Sequence, residues 1–294
     1  MRIQPKKILS AIDFSTFTDS IFSYSVALCK KYDAKLLLAH VTTDLNTLLE
    51  HSETALDVEA LQKSNIRYAQ ARLEERVKGL PIENEIIISQ GKPADIISRI
   101  ASEQQADMVI TATHGKAGFK RILLGSVTEK LIKTLHCPLL VLPPQEHDLM
   151  PPAAIEIKLK KILVGCDFSS DSKLAFDYGL SLAQEFQAEL HLSHVIKPSI
   201  YKREREGINQ LRDRLKKKLD SMVPEASRDW CTAKTALLDG EPYMVLMDYA
   251  KEQEMDMIVL GIRGHTLWEK LLVGSTTDRL IRHSPRPVLA VRQI

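Results

Sequence analysis

Short apolar runs alternate with stretches of helical spacing along the whole chain. The run at 7–12 (KILSAI) lies between Pro5 and Asp13 and predicts a buried strand. Residues 19–32 place Ile21, Phe22, Ser25, Val26 and Cys29 at helical spacing. The reading continues with a strand at 35–41, a helix with one polar face at 46–80 and a weakly alternating strand at 85–89. A helix at 94–103 follows Pro93, which suits a first helical turn. A strand at 108–111, a helix at 127–134 and a strand at 138–142 complete the first half. The second half predicts strands at 161–166, 189–195, 232–238, 257–260 and 287–291, with helices at 174–185, 202–222, 242–253 and 276–283. Such alternation implies parallel sheets covered by helices on both faces. Right-handed crossovers make each sheet doubly wound and Rossmann-like, with ligands expected at the carboxyl ends of the strands where the strand order reverses.

The two halves also share their wording. KKILSAIDFS at 6–15 returns as KKILVGCDFS at 160–169, and AHV at 39–41 returns as SHV at 193–195. GKP at 91–93 returns as GEP at 240–242. HGKAGFKRILLGSVTEKLI at 114–132 returns as RGHTLWEKLLVGSTTDRLI at 263–281, and CPLLVLP returns as RPVLAVR. The offset is 154 residues for the first two pairs and 149 for the later ones, so only loop length differs. A repeat this long is a domain, not a solenoid unit of roughly 20–50 residues. The expected organisation is a domain at 1–144, a linker at 145–157 and a second domain at 158–294. Paired prolines and lack of period mark the linker as extended chain.

Composition narrows the partners. A length of 294 residues suits two domains, and 44% hydrophobic with 27% charged residues is the balance of a soluble globular protein. A net charge of +2 makes no broad case for nucleic acid or membrane. The start of the chain has no apolar signal core, and no apolar run approaches the roughly 18 residues of a membrane span. Cys29, Cys137, Cys166 and Cys231 form no CxxC pair and none has a counterpart in the other copy. Free thiols in a reducing cytoplasm are therefore expected, rather than zinc ligands or a repeated disulfide. The stretch at 201–219 holds eight Lys and Arg against three acids, which reads as a solvated helix face.

Chemistry concentrates at the ends of three strands of each half. Gly261 and Gly264 follow the strand at 257–260; nine residues later Gly274 and Ser275 lead into a helix. Glycines let the backbone approach an anion closely, and a helix start offers free N–H groups and a favourable dipole to phosphate. The first copy has Gly115, then Gly125 and Ser126 after nine residues, with Ala112 where Gly261 stands. An acid closes the first strand of each copy, Asp13 and Asp167, where a carboxylate can accept hydrogen bonds from a ribose hydroxyl or an adenine amino group. Val41 and Val195 end the second strands, where main-chain groups can read an adenine edge.

The chain resembles the universal stress protein family in its tandem form, over nearly its whole length. The signature is Gly, two residues, Gly, nine residues, Gly, Ser or Thr. Gly261, Gly264, Gly274 and Ser275 match it fully; Gly115, Gly125 and Ser126 match it, and Ala112 departs. The resemblance implies an adenine nucleotide alpha hydrolase-like fold: two doubly wound, parallel five-stranded sheets arranged as a pseudo-dimer through their fifth strands. It implies binding of ATP or AMP, with or without Mg2+, and a regulatory role in stress resistance in the cytoplasm. Carried over position by position, the first site comprises Asp13, Val41, Ala112, His114, Gly115, Gly125, Ser126 and Val127. The second comprises Asp167, Val195, Gly261, Arg263, Gly264, Gly274, Ser275 and Thr276. The bulk of Leu267 and Trp268 weakens the second loop slightly.

Plainer readings stand beside these. Ser126 and Ser275 can simply cap helices, as can Asp13 and Asp167. His40 and His194 fit strand packing better than metal binding. An enzyme is disfavoured: no HxGH, SGGxDS or GxxxxGK[ST] motif occurs, and no general base is apparent. At most a slow ATPase is expected. The alternative is an interaction scaffold with vestigial sites, and association into a further homodimer fits either reading.

Overall fold

The computed structural model describes residues 3–42, 58–113, 124–144, 157, 159–201, 207–264 and 273–293. The first half runs β1 (Lys7–Ile12), α1 (Thr18–Tyr32), β2 (Lys35–Thr42), α2 (Val58–Val77), β3 (Asn84–Gln90), α3 (Pro93–Glu103), β4 (Met108–Ala112), α4 (Ser126–Thr134) and β5 (Leu139–Leu142). The second runs β6 (Lys161–Gly165), α5 (Ser170–Phe186), β7 (Glu189–Ile196), the one-turn α6 (Pro198–Tyr201), α7 (Ile208–Asp220), β8 (Ala233–Asp239), α8 (Pro242–Glu252), β9 (Met257–Gly261), α9 (Ser275–His283) and β10 (Val288–Val291).

All ten strands form one sheet in the order β3-β2-β1-β4-β5-β10-β9-β6-β7-β8. Each half is parallel and doubly wound, with the order reversing between β1 and β4 and again between β6 and β9. The halves meet where β5 and β10 pair antiparallel, Leu140 opposite Leu289.

Strand alternation divides the core between two faces. Ile8, Leu36, Leu38 and Ile110 pack on one face with Ile162, Val164 and Val259, under α1, α2 and α5. Leu9, Leu37 and Val109 pack on the other with Leu163, Ile258 and Ala290, under α3, α4, α8 and α9. Both clusters run through both halves. This double burial explains why the central strands read as continuous apolar runs, while β3 and β8, at the edges, are only half-buried.

Three helices differ from expectation by more than one residue. The helix expected at 46–80 is seen as Val58–Val77; residues 46–57 lie outside the described residues, and 78–80 form a turn. The helix expected at 202–222 is seen as Ile208–Asp220, and 202–206 lie outside the described residues. The helix expected at 174–185 begins four residues earlier, at Ser170. Its start is polar and carries no apolar period, but Ser169 caps it by accepting a hydrogen bond from Ser172 N at 3.2 Å. Removing that cap, Ser169→Ala, is expected to cost about 1 kcal/mol and lower Tm by roughly 2–4 °C. Ser15→Ala should cost less than half as much in the same thermal melts, because α1 has no side-chain cap.

The four cysteines are buried free thiols. Among the described residues no helix is long and apolar enough to cross a membrane, and no cluster of three His, Cys, Asp or Glu side chains is placed to hold a metal.

Candidate functional site

The carboxyl ends of β6, β7 and β9 surround a cavity of about 380 Å³ at the strand-order reversal of the second half. All eight residues expected there line it: Asp167, Val195, Gly261, Arg263, Gly264, Gly274, Ser275 and Thr276.

The wall is built by repeated local devices. Asp167 Oδ1 accepts from Ser169 N at 3.0 Å, and Asp13 Oδ1 accepts from Ser15 N at the same distance. Neither acid caps a helix; each fixes the turn that follows its strand. Phe14 and Phe168 take left-handed conformations at φ 56° and 65° within those turns. Each ring lies 4.6 Å from that of His40 or His194. The histidines pair Nδ1 with the main-chain oxygens of Ile12 and Cys166, both at 2.7 Å, so they brace the strand ends as packing residues.

The helix starts are equally alike. Gly274 N donates to Ile262 O and Gly125 N to Thr113 O, both at 2.7 Å. Thr277 Oγ1 donates to Gly261 O at 2.8 Å and Thr128 Oγ1 to Ala112 O at 2.7 Å. Gly125 and Gly274 are the N-cap residues and make no side-chain cap. Ser126 and Ser275 are therefore the first helical residues, with exposed side chains, and the capping role considered for them is not what the structure has. In both copies the first amides of the helix and a serine hydroxyl face outward together, the arrangement that receives an anion.

The close approaches differ between the copies. A methyl group on Gly261 would lie 2.7 Å from the carbonyl carbon of Asp171 and 2.8 Å from Ser172 N, since the first turn of α5 presses on it. Ala112 already carries that methyl group, and there α1 starts only at Thr18, the counterpart of Ser172. Gly264 leaves room for the Asp167 carboxylate, whose Oδ2 would lie 2.8 Å from a β-carbon there.

Arg263 lines the cavity, but its guanidinium is engaged elsewhere. Nε donates to Asp171 Oδ2 at 3.0 Å and Nη2 to Asp171 Oδ1 at 3.4 Å. The Arg263 side chain thus braces the loop against Asp171, while the residue still lines the cavity. His114, Gly115, Leu267 and Trp268 lie outside the described residues. Asp13 and Val41 stand at the strand ends of the first half, with Ala112 closing β4 and Gly125, Ser126 and Val127 at the start of α4. The cavity also includes residues that were not anticipated, among them Cys166, Ser172, Lys197, Leu246 and Thr277. Thr277 was detectable, because Thr128 occupies the same place in the other copy. Burial raises the Cys166 thiol above its ordinary pKa.

Fold and site together define a tandem Rossmann-like α/β protein with a glycine-bordered crevice at the strand ends. The sequence profile of the universal stress protein family matches residues 5–143 and again 158–292. The chain belongs to that family. A universal stress protein of Mycolicibacterium smegmatis is 23% identical over 301 residues, covering 97% of this chain and 96% of its own. The universal stress protein YxiE of Bacillus subtilis is 30% identical over 145 residues, 45% of this chain and 98% of its own. A solved universal stress protein of Archaeoglobus fulgidus DSM 4304 has the same fold, with a TM-score of 0.71 at 19% identity and 99% of each chain covered.

Proposed function

We propose that this chain is an adenine-nucleotide-binding regulatory protein, with ATP or AMP held in the cavity of the second half. One observation carries the reading: all eight residues chosen by the glycine motif and the strand ends converge on a single cavity. Its volume falls in the ordinary range of small-ligand sites, about 300–1,000 Å³. The first amides of α9, with the hydroxyls of Ser275 and Thr276, would receive the phosphates. Asp167 would accept from ribose hydroxyls, and the main chain at Val195 would meet the base. Mg2+ would come with the phosphates. The first half would offer a related but unequal site at Asp13, Val41, Gly125, Ser126 and Val127, with Ala112 and the later start of α1 altering its wall. Binding favours one arrangement of the pseudo-dimer over another, which is how a protein without visible catalytic groups can signal. A cytoplasmic role in stress resistance fits this reading.

Cys166 supplies the test, because it lines the cavity while its thiol is buried beside Ser172, so that a ligand holding the site closed slows the opening that exposes it. Millimolar ATP is expected to slow maleimide alkylation of Cys166 at least about tenfold, with saturable binding heat in calorimetry. If neither protection nor heat is seen at 5 mM ATP or AMP, roughly the upper end of useful affinity, the nucleotide reading fails. The scaffold reading with vestigial sites would then stand.

A further inference from the structure

A chain of hydrogen bonds leads from the second cavity into the other half. Asp171 is 1% exposed, and its carboxylate also accepts from Arg263 N at 3.0 Å and from Gln293 N at 2.9 Å. Arg263 Nη2 donates in turn to Gln293 O. One residue earlier, Arg292 crosses the junction between the halves. Its Nη2 donates to Ile132 O at 2.6 Å and its Nη1 to Lys133 O at 3.2 Å. These carbonyls end α4, where they lack partners within the helix and where the dipole favours a cation. Ser126, at the other end of that helix, belongs to the expected phosphate site of the first half. Arg282 and Glu129 also span the junction, 4.0 Å apart.

The link is one-sided. The repeat offsets put Phe17 where Asp171 stands and Pro143 where Arg292 stands, so the first copy has neither the acid nor the cation. It is also not built for stability alone. Burial, and then repulsion from Arg263, lowers the pKa of Arg292, and its buried Nε has no hydrogen-bond partner among the described residues. A half-buried cation in such surroundings is weak support for a fold.

We propose that Asp171, Arg263 and Arg292 are positioning residues that couple the glycine loop of the second half to the helix Ser126–Thr134 of the first, so that occupancy of the second cavity is felt at the first. A contiguous network between two sites is the physical means for such coupling. The ligand in this proposal rests on the nucleotide reading; the link itself does not.

Hydrogen exchange tests both parts. In ligand-free protein, Asp171→Asn keeps the side-chain shape and removes the charge. It is expected to speed amide exchange at 132–136 at least about threefold, and Arg263→Gln should do the same. Changes confined to 261–264 and 291–293 in both variants would overturn the link. In the second arm, Gly125→Asp places a carboxylate at the first phosphate site, so ATP reaches only the second cavity. ATP should then alter exchange at 132–136 about twofold or more. Adding Arg292→Gln should abolish that response while ATP still protects Cys166. A response that survives Arg292→Gln overturns the proposal. Lack of both Cys166 protection and binding heat in the unsubstituted protein refutes the nucleotide reading instead, and the ligand-free arm still decides the link.

Discussion

Gly274→Asp is expected to weaken ATP binding in the second cavity at least about 100-fold, close to 3 kcal/mol. Two unit charges 4 Å apart at an effective dielectric of 20 repel by about 4 kcal/mol, and ATP brings more than one negative charge, so this holds even after screening and local relaxation. Folding should survive. Gly274 is the N-cap of α9 with φ −57°, a conformation open to any residue, and aspartate is a favoured cap. The loop must yield slightly, because Ile262 O lies 3.1 Å from the site of the new β-carbon. Calorimetry together with Cys166 protection would check this result. Affinity within threefold of the unsubstituted protein would mean that the phosphates do not rest on this helix start.

Gly261→Ala should be the most destabilising single methyl group in the crevice. Its β-carbon meets main-chain atoms of Asp171 and Ser172 below 3.0 Å, and main chain at the first turn of a capped helix cannot turn aside as a long side chain can. Overpacking of this kind costs about 1–3 kcal/mol, which lowers Tm by roughly 2–10 °C. ATP affinity should fall too, since Asp171 holds the Arg263 main chain in the loop. Ala112→Gly is the control. It removes a methyl group that the first half already accommodates and should cost no more than about 1 kcal/mol, mainly through backbone entropy. Equal melting curves for Gly261→Ala and the unsubstituted protein would show that α5 can withdraw freely from the loop.

Much of the fold is legible in the residues because two copies were available to compare. Every strand was placed within two residues of its observed ends, since doubly buried parallel strands leave compact apolar runs. The residues that line the second cavity are equally readable, because they follow strands directly and the glycine spacing fixes the helix start. The start of α5 was not legible. Asp-Phe-Ser is identical in both copies, yet one serine caps a helix at once and the other does not. That difference goes with a tertiary approach, Gly261 under Asp171 in one half, where the other half has Ala112 and Phe17 at the equivalent positions, and neither residue announces it locally. The pairing of Arg263 with Asp171 is hidden for the same reason: the two lie 92 positions apart, and the acid has no acidic counterpart in the repeat.

The antiparallel junction of β5 with β10 has a consequence for how the two sites can change over time. Separate chains that meet through such strands do so by mass action, and each change in the gene appears on both sides of the interface. Fusing them makes the encounter intramolecular, at an effective concentration of order millimolar that does not depend on expression level. Pairing of Leu140 with Leu289 then no longer requires the halves to be alike. Each crevice can accumulate its own substitutions without the other following. Ala112, Phe17 and Pro143 on one side, facing Gly261, Asp171 and Arg292 on the other, are the divergence that this covalent release from symmetry permits.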